Sequence, residues 1–102
     1  MGDGESAASA EMRRVAWTDQ AIRDLIAIGQ YLDGFNPNAA RKVAAGLIAP
    51  GESLRAFPNR GRQVRPGVRE LTSFPPYLLR YAVLETGVRI IAIRHGARRP
   101  QA

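Results

Sequence analysis

The sequence predicts an α+β domain of two layers, a helical hairpin laid on one face of a small, mostly antiparallel sheet, in the order β-α-α-β-β-β. Three observations predict it. Apolar residues recur at helical spacing from Ala21 to Phe35 and again from Ala40 to Phe57, the repeat of two amphipathic helices. Only a short Gly34 to Pro37 turn separates the two stretches, so the helices must fold back on each other. From Val68 onward the repeat changes to a period of two, clearest between Tyr77 and Leu84, as strands with one buried face require.

The first strand is Arg13-Arg14-Val15-Ala16-Trp17, short, alternating and β-prone. Thr18 then caps a helix over about residues 19 to 34. Its predicted inner stripe is Ala21, Leu25, Ile28, Leu32 and Phe35, widened by Ile22 and Ile26, with Gln20, Arg23, Asp24, Gln30 and Asp33 facing outward. On this reading Asp19, Asp24 and Asp33 are solvated carboxylates, not a metal pair. Gly34 ends the helix; Asn36 caps the next, with Pro37 at its first position. The second helix turns Ala40, Val43, Ala44, Leu47, Leu54 and Phe57 inward and Arg41, Lys42, Glu52 and Arg55 outward. Pro50 deletes a bond to the carbonyl of Gly46 and costs roughly 3 kcal/mol in a regular helix, which predicts a kink or break near residue 50.

Residues 57–67, FPNRGRQVRPG, are dense in Pro, Gly and Arg and read as a loop. Three strands follow: Val68 to Leu71, Tyr77 to Leu84, and Val88 to Arg94. Glu85-Thr86-Gly87 is predicted as a three-residue hairpin loop that pairs Leu84 with Val88. That register sets Arg80 opposite Ala92 and diagonal to Arg94 on one face, and Tyr77 opposite His95 on the other. Trp17 and Tyr81 are expected in the core.

The 102 residues form one domain, placed at residues 13–102 after a disordered leader of residues 1–12. There is no cysteine and a single histidine, His95, which excludes a disulfide framework and any cysteine- or histidine-rich zinc centre. No metal or cofactor is expected, and the reducing cytoplasm fits. No apolar run approaches the roughly 18 residues that span a bilayer. The net charge of +6 is uneven: residues 58–102 hold nine arginines against Glu70 and Glu85 alone. Such a basic half implies acidic partners, nucleic acid or an acidic protein segment.

Trp17, AIRDLIAIGQYL, NPNAA, SLRAFPNRGR, VREL, FPPYLLRY and IIAIRHGARRP resemble, in that order, the ParE branch of the RelE/ParE toxin superfamily across residues 13–100. The resemblance implies a small cytoplasmic toxin of a bacterial type II toxin-antitoxin module, plasmid- or chromosome-borne and held inactive by a cognate antitoxin. RelE-like members cut messenger RNA on the ribosome, whereas ParE-like members poison DNA gyrase without being nucleases.

A metal-free ribonuclease needs a base, an acid and fixed cations around the phosphate. RelE-like sites supply lysines on the first C-terminal strand, an arginine mid-sheet, another past the last strand and a tyrosine on a closing helix. Arg80 and Arg98 match the arginine positions here. Arg69 and Glu70 stand where the lysines would, and the sequence stops at Ala102 before any such tyrosine. The HGAR ending also resembles ParE-like chains. The resemblance thus implies a non-enzymatic gyrase inhibitor that docks through Arg69, Arg94, Arg98 and Arg99. The alternative is a ribosome-dependent mRNA interferase using Arg80, His95 and Arg98. The antitoxin is expected to be acidic, disordered alone and folded on binding, added as an amphipathic helix or a strand; the residues it contacts are not assigned by the sequence.

Overall fold

The computed structural model describes residues 14–96. The expected leader, Arg13, Arg98 and Arg99 lie outside them. The order is β1 (Arg14–Trp17), α1 (Asp19–Asp33), α2 (Pro37–Ser53), β2 (Arg62–Arg65), β3 (Val68–Phe74), β4 (Tyr77–Leu84) and β5 (Gly87–His95). The sheet runs β1-β5-β4-β3-β2, with β1 parallel to β5 and the other pairs antiparallel. The predicted α+β architecture holds, with one strand more than expected.

Both helix starts follow from local chemistry. The Thr18 hydroxyl accepts from the backbone N–H of Ala21, and the Asn36 side chain accepts from Asn38 and Ala39 ahead of Pro37, satisfying donors that a helix start leaves bare. The hairpin packs on one face of the sheet, α1 over β5 and α2 over β3. Ala21, Val43, Leu47, Leu54, Leu71, Leu79, Tyr81, Val88, Ile90 and Ile93 form the core, with Trp17, Leu25, Ile28 and Leu32 packed around it. Ile22, Ile26, Phe35 and Phe57, predicted to face inward, are exposed. The sheet is narrower than the predicted stripe, and Phe35 and Phe57 lie past the ends of their helices.

Pro50 does not break α2, which runs unbroken to Ser53. The proline forfeits one backbone bond in the last turn, while fully buried Leu47 and Leu54 anchor the helix on either side of it. Burial of each contributes about 1.5–3 kcal/mol, enough to offset the roughly 3 kcal/mol proline cost.

Residues 57–67 are not wholly loop. Arg62–Arg65 pairs with β3 as an edge strand, turned by Pro66 and by Gly67 at φ 77°, the Pro-Gly order of a type II turn. β3 itself continues to Phe74, three residues past the expected end. The loop before β2 is tied to the core by Tyr81, whose hydroxyl donates to the Pro58 carbonyl at 2.7 Å and accepts from the Gly61 N–H at 2.8 Å. Burial raises the pKa of this phenol, against the opposing effects of the Gly61 bond and of Arg69 and Arg60. Tyr81→Phe is expected to lower stability by about 1–3 kcal/mol, because both loop groups lose a buried partner; chemical denaturation measures it, and an unchanged midpoint would reject the role.

The β4–β5 hairpin corrects the predicted turn. Leu84 pairs with Gly87 across a two-residue loop, and the register then shifts between Arg80 and Tyr81, leaving Ile91 as the extra residue of a bulge. The two irregularities cancel beyond it. Arg80 faces Ala92 and Tyr77 faces His95, as predicted. The bulge is held by α1: the Thr18 hydroxyl donates to the Ile91 carbonyl at 2.8 Å, and Asp24 accepts from the Ile93 N–H at 2.9 Å. Asp24 is therefore not a solvated outward carboxylate. It caps backbone of β5 beyond the end of β1.

Candidate functional site

Alternation along the strands gives the sheet two chemically different faces. On the face away from the helices, Glu70 of β3 lies opposite Arg80 of β4, which lies opposite Ala92 beside Arg94 of β5. All three charged side chains meet. One Glu70 oxygen, Oε2, accepts from Arg80 Nε at 2.9 Å, Arg80 Nη2 at 2.6 Å and Arg94 Nη1 at 2.7 Å. Glu70 is buried, while the two arginine side chains keep 28% and 23% of their surface exposed. Burial by itself pushes the Glu70 carboxyl upward, but the hydrogen bonds and charges of Arg80 and Arg94 outweigh it and hold the group below its ordinary value of 4.5. The carboxylate is thus ionised at neutral pH and weakly basic.

Arg69 points the other way. It lies opposite Tyr81 on the helix-side face and donates to the Gly61 carbonyl at 2.7 Å, bracing the loop that Tyr81 also holds. Arg69 and Arg94, expected on one docking surface, therefore stand on opposite faces of the sheet. His95 is likewise on the helix side, edge-on to Tyr77 with ring centroids 5.3 Å apart. It closes one end of a cleft of about 450 Å³ lined by Asp24, Ala27, Ile28, Tyr31, Tyr77 and Ile93. Its Nδ1 is buried without a hydrogen-bond partner.

The site expected for RNA cleavage is therefore not assembled among the described residues. Arg80 and His95 project from opposite faces of the sheet. Arg80, the one clamp of that reading among the described residues, is held by Glu70, as is Arg94. No group of three His, Cys, Asp or Glu side chains among the described residues could hold a metal ion. Two residues escaped assignment from sequence. Glu70 carried a signal, as one of only two acids in the basic half and at strand spacing for a pair with Arg80. Asp24 carried none, since its partner is a backbone N–H far along the chain.

Comparison with known proteins agrees with this architecture. The family model for the ParE toxin of the type II toxin-antitoxin system, parDE, matches residues 15–100. Toxin RelE2 of Caulobacter vibrioides is 44% identical over 87 residues, covering 85% of this chain and 99% of that protein. Putative toxin Y4kP of Sinorhizobium fredii is 33% identical over 85 residues, covering 81% and 88%. Among solved structures, the chromosomal ParDE TA system from P. aeruginosa superposes with a TM-score of 0.70 at 29% identity, over 82% of this chain and 96% of that one. The chain belongs to the RelE/ParE superfamily, as a ParE-family toxin of a type II toxin-antitoxin system.

Proposed function

We propose that this toxin acts in the cytoplasm as a non-enzymatic inhibitor of DNA gyrase, by protein docking, and is neutralised by a cognate antitoxin. The observation that carries the reading is the commitment of Arg80 and Arg94 to Glu70, which occupies the two arginines at the centre of the open face and leaves no effective base there among the described residues. A general base should have a pKa near the working pH, and that of Glu70 is driven the other way. Similarity to the chromosomal ParDE TA system from P. aeruginosa supports the same branch. Docking is assigned to Arg94 together with Arg98 and Arg99, whose charge would steer an acidic partner. Arg69 acts in this reading as a brace for the loop at residues 59–61.

The antitoxin is proposed to be acidic and to fold on binding, covering exposed apolar side chains such as Tyr31 on α1 and Phe35 just beyond its end. Incubation of the purified toxin with gyrase and plasmid DNA, and separately with translating ribosomes carrying mRNA, tests the target. Lost supercoiling or accumulated cleavage complexes with intact mRNA is expected. Ribosome-dependent cleavage that disappears in folded Glu70→Gln or His95→Ala protein would overturn it in favour of the mRNA interferase.

A further inference from the structure

The open face of the sheet gathers cations around one buried anion. Arg80 and Arg94 come from adjacent strands, yet three of their N–H groups converge on a single carboxylate oxygen at 2.6–2.9 Å. Fixed guanidinium forks aimed at one point are the arrangement that recognises phosphate and carboxylate oxyanions. The strands over-determine that point: Glu70 opposite Arg80, with Arg94 brought to the same face by the Ile91 bulge. Beside it, a cavity of about 360 Å³ reaches Glu70 from the β2 edge and is lined by Arg60, Arg62 and Thr72. The site thus has donors, a defined focus and an approach.

We propose that Arg80 and Arg94 form an oxyanion-binding site whose resident ligand is the Glu70 carboxylate, so that Glu70 decides whether this face accepts an external phosphate. With Glu70 in place the two guanidinium charges are partly neutralised and an incoming phosphate meets a fixed negative group at the centre of the site. Removing that charge, while keeping the side chain's size, leaves two donors converging on a neutral group and open to a phosphate entering from the cavity. Glu70 is accordingly a specificity-determining residue that excludes phosphodiesters from an otherwise receptive face. This exclusion rests on the proposed docking function, in which the open face cuts no RNA.

Thermal melts of the full chain at pH 7 test it, using inorganic phosphate as the probe against sodium chloride at matched ionic strength. Phosphate stabilises proteins generally by exclusion from their surface, so the comparison is between variants. Glu70→Gln should gain roughly 4–8 °C more from phosphate than the wild type. Glu85→Gln, which makes the same charge change on the exposed hairpin turn, should behave as wild type. Adding Arg94→Gln to Glu70→Gln should abolish the gain. If Glu70→Gln is unfolded in chloride, phosphate should restore its cooperative melt. Equal phosphate shifts in all variants, no response of Glu70→Gln, or a wild type that already responds as strongly would each overturn the proposal.

Discussion

Gly87→Ala is expected to be among the most damaging single substitutions in this toxin, lowering stability by on the order of 4 kcal/mol. Gly87 opens β5 at φ 152°, and a Cβ built there would run into the backbone oxygen and nitrogen of Arg14. Relief requires β1 to move away, but β1 is the parallel neighbour of β5 from Arg14↔Gly87 to Trp17↔Ile90. The damage then spreads along the chain. Thr18 follows β1 directly, donates its N–H to the Ile90 carbonyl at 3.0 Å and caps both α1 and the Ile91 bulge. Thermal unfolding and growth inhibition should therefore fail together. A melt within a few degrees of wild type would show that β1 is dispensable.

Glu70→Ala is expected to cost about 3 kcal/mol at neutral pH, the lower end of the range for breaking a buried ion pair from one side. The lower end applies because Arg80 and Arg94 keep part of their surface in water and can rehydrate. The same cluster sets an acid limit. The folded carboxyl titrates below 4.5, so its stabilisation is fully present above about that pH and is lost as pH falls through the lowered folded value. In the alanine variant this part of the acid dependence should vanish. Urea midpoints measured from pH 7 down to pH 3 check both claims; identical pH profiles for the two proteins would reject the coupling.

What could be read from the sequence was local. Thr18, and Asn36 with Pro37, announced the helix starts because capping involves residues only two or three apart. The partnering of Tyr77 with His95 and of Arg80 with Ala92 was also legible, but for an incomplete reason. The turn is one residue shorter than predicted, and the Ile91 bulge restores the count. The doublet Ile90-Ile91 was the visible sign, an interruption of alternation between inward Val88 and Ile90 and outward Ala92 and Arg94. β2 was missed because Arg62, Gln63 and Arg65 are exposed, so no buried stripe distinguishes the strand from loop. Pro50 misled because propensity is a local quantity, whereas the burial of Leu47 and Leu54 is set by the sheet. The placement of Arg69 away from Arg94 follows directly from odd and even positions on paired strands. It required the register of β3, which sequence alone left unspecified.

β2 has a bearing on how the toxin behaves at high concentration. As the outermost strand of the sheet it offers a backbone edge to any other chain. A second copy joining antiparallel about the strand centre would bring Arg62 of one molecule against Arg65 of the other, twice over, and like charges so opposed repel. The edge therefore resists building a continuous sheet from copy to copy. A strand carrying carboxylates at the same positions meets no such barrier. The arginines at this rim act as a filter, discouraging self-polymerisation while leaving the surface open to acidic chains.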